Sequence, residues 1–219
     1  MIILRWGMRG VLITFFLLSS AIPELLQPTG QAAPWPAQEP QPASPPSSDG
    51  PDPRSVVHFV PTPMEVVEKM LEVANVTSKD VVYDLGSGDG RIVILAAKKY
   101  GAKAVGVELD PKLARESAEQ VKRENLDSLV TILQEDLFQA DIKPATVMTL
   151  YLLPSVNDRL RPILEETLKP GARVVTHSFP MQGWKASREE TIEVGGGGGY
   201  SRIVYLYQIP EAFQRPPAR

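Results

Sequence analysis

The chain has no cysteine and only two histidines, His58 and His177, among 219 residues. That excludes disulfides, thiolate metal sites and a cysteine nucleophile, and two histidines are too few to make a zinc centre a reasonable expectation, so no metal site is expected. Lack of cysteine is compatible with any redox compartment. Blocks of like charge are missing too. The 23 Lys and Arg are interspersed with 26 Asp and Glu for a formal charge of −3, which leaves no basic stripe to track phosphates, and nucleic acid is not expected as a partner. The apolar stretch at residues 10–22 has 13 residues, too few to span a bilayer comfortably.

That stretch follows Arg5 and Arg9 and precedes Gly30-Gln31-Ala32, a small-x-Ala cleavage pattern. Residues 1–32 are expected to be an export signal or an uncleaved hydrophobic anchor. The two arginines should hold the N-terminus in the cytoplasm and send the rest outward, to the periplasm or medium or onto a membrane surface. If the segment is not a working signal, the protein stays in the cytoplasm. Any membrane association would come through this segment alone. Residues 33–55 carry eight prolines among Ala, Gln, Ser and Asp; they cannot bury a core and are expected to form a disordered spacer.

A folded domain is expected over residues 56–210, with a short disordered tail at 211–219. Thr62-Pro63-Met64-Glu65 has the pattern of a helix start, with threonine as cap and proline at the first helical position. Apolar runs and amphipathic stretches then alternate: strands at 81–85, 103–108, 130–134, 146–151 and 173–178, helices at 91–100, 111–125 and about 155–168, the last carrying Pro162. Such alternation predicts an α/β fold, a doubly wound and mostly parallel sheet. Segments 191–194 and 201–208 are strand-like and joined by five glycines, too short a link for a helical crossover, so they should close the sheet as an antiparallel hairpin.

Open α/β sheets bind ligands beyond the carboxyl ends of their strands, and the turn Asp84-Leu85-Gly86-Ser87-Gly88-Asp89-Gly90 lies at such an end. Its glycines are spaced G-x-G-x-G, not the G-x-G-x-x-G of dinucleotide folds, and Asp84 and Asp89 would repel a pyrophosphate. They suit a ligand carrying an ammonium and a sulfonium, while exposed amides can take its carboxylate. S-adenosyl-L-methionine has that charge pattern. Glu108, at the end of the second strand, can accept both hydroxyls of a ribose. Asp136, after the third, can accept from an adenine amino group, with Leu109 and Leu137 on either side of the ring. Each acid could instead cap a helix, as Asp110 before Pro111 is expected to do.

DLGSGDG, VGVELDP, QEDLF and LKPGARVV resemble successive motifs of the class I, seven-strand S-adenosylmethionine-dependent methyltransferases, over about residues 56–209 in order. HFVPTP, DLGSGDGRIVI and VVTHSFP further resemble a bacterial branch related to seven-strand protein-lysine methyltransferases. The resemblance implies a seven-strand sheet, a cofactor held by Asp84, Gly86, Gly88, Glu108 and Asp136, and a segment from Phe59 to Thr62 near its methionine end. Relatives commonly carry Tyr where Phe59 stands. Amine-directed members have Asp or Asn, Pro-Pro and an aromatic after strand four, where this chain has Thr149-Leu150-Tyr151-Leu152-Leu153-Pro154 and no acid.

Methyl transfer from a sulfonium is an in-line displacement that asks mainly for positioning. Tyr151 could line the methyl channel or lie half buried under the sheet edge. His177, at the end of strand five, could take a proton from an attacking amine or hydroxyl, or be structural. Arg91 could serve packing or a surface ion pair, and Trp184 could wall the substrate entrance or cover the sheet. The expected acceptor is a protein nitrogen such as lysine; a small-molecule acceptor, or non-catalytic binding of S-adenosylmethionine, are the alternatives.

Overall fold

The architecture is that of a computed structural model, which describes residues 59–195 and 199–213. The expected export segment, the spacer, His58, the middle of the glycine loop and the end of the tail lie outside the described residues. Elements follow in the order α1 (Met64–Val73), β1 (Val81–Leu85), α2 (Arg91–Tyr100), β2 (Lys103–Glu108), α3 (Pro111–Arg123), β3 (Val130–Gln134), β4 (Val147–Leu150), α4 (Pro154–Thr167), β5 (Arg173–His177), β6 (Arg188–Val194) and β7 (Tyr200–Gln208).

The seven strands form one sheet in the order β3-β2-β1-β4-β5-β7-β6. The first five are mutually parallel; β7 runs antiparallel between β5 and β6. Chain direction across the sheet reverses between β1 and β4, because β2 and β3 extend one way and β5 the other. A crevice opens at such a reversal, beyond the carboxyl ends of the strands.

Both faces of β1, β4 and β5 are covered, which explains their near-continuous burial and their Val-rich sequences. On one face α1, α2 and α3 pack Val66, Met70, Val93, Ala97 and Val121 against Val82, Ala104 and Val175. On the other, α4 brings Leu160 and Leu164 onto Met148, Leu150 and Val174. Helix α4 continues through Pro162, where the sequence predicts a kink.

Several local expectations shift, among them β6, which starts at Arg188 and not at residue 191. Helix α1 starts at Met64, one residue later than the capping pattern implied, and the amides of Val66 and Val67 donate to the Pro63 carbonyl. The Thr62 side chain makes no cap because its hydroxyl turns toward His177 instead. Strand β4 ends at Leu150, leaving Tyr151 just beyond it. Residues 211–213, expected in the tail, pack back: Ala212 is buried, its carbonyl accepts from the Lys185 amide at 2.9 Å, and Phe213 bridges to Trp184.

Among the described residues, no helix is long and apolar enough to cross a membrane, and no three His, Asp or Glu side chains cluster to hold a metal ion.

Candidate functional site

The turn after β1 is built from backbone hydrogen bonds and one carboxylate. Gly86 and Ser87 donate their amides to the Val107 carbonyl of β2 at 2.8 and 3.0 Å. The next amide, that of Gly88, donates to Glu108 Oε2 at 2.7 Å, and the other oxygen of Glu108 accepts from Asp110 at 2.9 Å. Glu108 therefore ties the glycine turn to the end of β2 while each of its oxygens keeps a second lone pair. Gly88 has φ +54°, and a Cβ there would lie 2.0 Å from the Phe59 ring. Only a residue without a side chain lets Phe59 rest on the turn. The Ser87 hydroxyl is buried without a partner among the described residues.

The two acids of the turn have different fates. Asp84, at the end of β1, is 3% exposed. Burial pushes its carboxyl up to about 7, with repulsion from Glu108 and Asp89 adding to the rise and the Thr149 hydroxyl, donating at 2.8 Å, opposing it. Asp89 is not an unpaired charge, as its place in the turn suggested. Arg91 grips it with Nε, 2.9 and 3.1 Å from its two oxygens, and with a second guanidinium nitrogen at 2.5 Å. A third Arg91 nitrogen donates to the Thr62 carbonyl at 2.8 Å. Of the two readings of Arg91, the ion pair is the one formed.

Asp136 accepts from the Phe138 amide at 3.0 Å and so shapes the turn after β3. The flanking leucines differ. Leu109 is among the exposed large apolar residues, whereas Leu137 packs onto the core beneath the sheet.

Beside this turn, at the ends of β4 and β5, lies an aromatic cluster. The Tyr151 and His177 rings stack with centroids 3.9 Å apart, and Phe179 stacks on Tyr151 at 6.2 Å. His177 is 1% exposed; burial, and then the nearby Arg202 charge, press its imidazole down to about 4, so it is neutral at working pH. Its Nδ1 faces the Thr62 hydroxyl at 3.4 Å, while its Nε2 is buried without a partner among the described residues. Asn157 of α4 is buried nearby, donating to the Phe179 carbonyl at 3.4 Å. The cluster can hold an uncharged amine or hydroxyl against an aromatic wall, with a carboxylate-rich turn alongside.

Trp184 stands apart. Its indole donates to Glu165 at 2.8 Å and its ring meets Tyr207 edge-on and Phe213 at a tilt, so it covers the α4 side of the sheet. Thr149, Asn157 and Phe179 were not anticipated. Thr149 could have been found only from the register that sets it opposite Asp84.

Residues 84–188 match the family of ANTKMT methyltransferase domains. A protein-lysine N-methyltransferase of Saccharolobus islandicus (strain REY15A) is 46% identical over 156 residues, which are 71% of this chain and 95% of that protein. The Mus musculus adenine nucleotide translocase lysine N-methyltransferase is 35% identical over 133 residues, 60% of this chain and 57% of the relative, so this chain spans little more than half of its length. Among solved structures, an RNA methyltransferase from Salinibacter ruber in complex with S-adenosyl-L-homocysteine is 51% identical, with a TM-score of 0.65 over 73% of this chain and 98% of the other. The Bacillus subtilis tRNA methyltransferase TrmK, 17% identical with a TM-score of 0.55 over 65% and 64% of the two chains, shares the fold.

Proposed function

This chain belongs to the seven-strand, S-adenosylmethionine-dependent methyltransferases, and on that premise we propose that it methylates the ε-amino group of a lysine in a protein. The observation that carries the acceptor is the 46% identity along 95% of a protein-lysine N-methyltransferase. The aromatic, uncharged cluster of Tyr151, His177 and Phe179 supports it, since a methyl-accepting amine must be neutral to attack.

The crevice fits the cofactor. Glu108 is held by two amides with lone pairs to spare for a ribose diol, and the buried Ser87 hydroxyl of the glycine turn has no partner among the described residues. We assign cofactor contacts to Phe59, Thr62, Asp84, Gly86, Ser87, Gly88, Asp89, Gly90, Glu108, Leu109, Asp136 and Leu137. Within that set Asp84 supplies the negative field, and Asp89 acts through its pair with Arg91. Bound S-adenosylmethionine supplies a methyl group on a sulfonium. Displacement joins that carbon to the lysine nitrogen, breaks the carbon–sulfur bond, leaves a neutral thioether and frees a proton from nitrogen. Tyr151 and His177 are assigned to the acceptor. With its pKa pressed to about 4, His177 is too weak a base to deprotonate an ammonium; its buried Nε2 orients an amine already neutral, and the proton leaves to solvent.

Incubating the full chain with tritiated S-adenosylmethionine and native lysate, then separating protein, RNA and small molecules, tests this. Label recovered as methyl-lysine, and lost with Glu108→Ala, is the expected result. The name of the Salinibacter structure favours RNA as a second reading; label in RNA, or in small molecules, would displace the lysine proposal. Cofactor binding with no label transferred anywhere would leave a binding protein. We further infer that residues 1–32 direct the chain to or across a membrane. Fractionation finding the full-length tagged chain in the cytosol would refute that.

A further inference from the structure

The side chain of Arg91 donates from all three of its guanidinium nitrogens, to two separate segments of the chain. Nε and one terminal nitrogen hold the Asp89 carboxylate of the glycine turn; the other terminal nitrogen holds the Thr62 carbonyl at 2.8 Å. Thr62 is 5% exposed, and its hydroxyl faces His177 Nδ1, whose ring stacks on Tyr151. Three residues earlier, Phe59 lies on Gly88 of the same turn. The segment thus runs from the glycine turn to the aromatic cluster, and Arg91 is its fastening.

That segment is stiff. Thr62 stands between Pro61 and Pro63, and Pro63 has φ −56° and ψ 145°. A residue before proline is confined to extended backbone, and a β-branched side chain has few rotamers. Holding the Thr62 carbonyl therefore fixes where its hydroxyl points, with few soft torsions between the two.

We propose that Arg91 is a positioning residue for methyl transfer: by clamping the Thr62 carbonyl to the Asp89 carboxylate, it sets the Thr62 hydroxyl against His177 and so fixes the imidazole that faces the acceptor. This rests on the assignment of Tyr151 and His177 to the acceptor side. The role needs a planar fork. A lysine can reach Asp89 or Thr62 but cannot hold both in one geometry.

The test uses the full chain and Arg91→Ala, Arg91→Lys, Thr62→Val and the double variant Arg91→Ala with Thr62→Val. Four quantities are read: the initial rate of tritium transfer from S-adenosylmethionine to lysate protein at saturating cofactor, its dependence on lysate concentration, S-adenosylhomocysteine affinity by calorimetry, and the melting temperature. Misplacing a catalytic group by about 1 Å costs up to about a hundredfold in rate. Arg91→Ala and Thr62→Val are each expected to slow the limiting rate, read at cofactor concentrations that saturate each variant, by roughly ten- to a hundredfold; product affinity should fall as well, since Thr62 is assigned to the cofactor and Asp89 acts through Arg91. Arg91→Lys should not recover the rate. The double variant should be little slower than either single one, because both break the same linkage.

Wild-type rate in Arg91→Lys, or multiplicative losses in the double variant, would overturn the proposal. So would a loss in Arg91→Ala that follows its melting temperature alone. Should Arg91→Ala not fold, Arg91→Lys decides the matter by itself. Failure of the wild-type chain to transfer label would instead strike the proposed function, which keeps the two failures apart.

Discussion

Thr149 Oγ1 donates to Asp84 Oδ1 at 2.8 Å across the β1–β4 pair, where the two residues stand opposite each other in register. Both are buried at the point where the sheet order reverses. A single neutral hydroxyl does not offset the desolvation of a carboxylate, which is why the Asp84 carboxyl is pushed up to about 7. Ionised Asp84 is thus a costly charge beneath the glycine turn, and a cationic ligand above it would favour the ionised form.

Asp84 should therefore make the ligand-free protein less stable as pH rises. Its native pKa lies above the unfolded value near 4, so the folded state binds the proton more tightly and stability falls between about pH 4 and 7. Asp84→Asn keeps an acceptor for Thr149 and removes the titration. Its melting temperature should match or fall below wild type at pH 5 and exceed it by several degrees at pH 8, a shift of a few kcal/mol. Its affinity for S-adenosylmethionine should fall. Thermal melts across that range check the first point and calorimetry the second.

His177 has the opposite sign over nearly the same range. Its native pKa of about 4 lies below the unfolded value near 6.5, so the unfolded state binds the proton more readily and stability drops as pH falls through that window. The two slopes oppose each other in the wild type, and neither is visible alone. In the Asp84→Asn background the acid loss should emerge as a steeper fall in melting temperature from pH 6.5 to 4.5. Adding His177→Asn should flatten it. An unchanged slope after His177→Asn would mean that the imidazole is not the titrating group.

Much of this was legible in the chain, for identifiable reasons. Strands β1, β2 and β3 have the bounds that their apolar runs predict, because each is flanked by turn residues, and β1 and β2 are also nearly continuously buried. Asp110 caps α3 as Asp-Pro implied, accepting from the Lys112 and Leu113 amides. What failed was pairing at a distance. Nothing near Thr62 in sequence reveals a histidine 115 residues away that claims its hydroxyl. Asp89 looked like an open charge for a cationic ligand because Arg91 is two residues on, and whether its side chain turns back is a tertiary matter. Asn157 and Phe179 meet only because α4 packs over the end of β5.

The contact of Phe59 with Gly88 leads to a suppressor experiment. Gly88→Ala would place a methyl 2.0 Å from the ring on a backbone with φ +54°, so it should displace Phe59 and lower cofactor affinity strongly. Phe59→Ala removes the clash but not the backbone cost, which is about 1 kcal/mol for a non-glycine residue in the left-handed region. The double variant Gly88→Ala with Phe59→Ala should melt higher than Gly88→Ala alone, while still binding S-adenosylhomocysteine more weakly than wild type. Melting curves and calorimetry on all four proteins close the cycle. Strict additivity in melting temperature would show that the ring does not rest on the glycine.

Glu108 separates a residue that only meets the ligand from one that also builds the site. Its two oxygens already accept from Gly88 and Asp110 before any ribose is considered. Glu108→Ala leaves the partly buried Gly88 amide without an acceptor, at about 1–3 kcal/mol where water does not replace it, and the exposed Asp110 amide to solvent. Ligand-free stability should therefore fall by several degrees, together with a cofactor affinity loss of roughly a hundredfold or more. Glu108→Gln keeps one oxygen, and the stronger demand of Gly88 at 2.7 Å should claim it, turning the amide nitrogen toward the Asp110 N–H, where two donors face each other. Its losses should fall between wild type and alanine in both measurements. A protein with normal melting and poor affinity would assign Glu108 to the ligand alone. Loss of both together means that the carboxylate which meets the ribose also holds the glycine turn open to receive it.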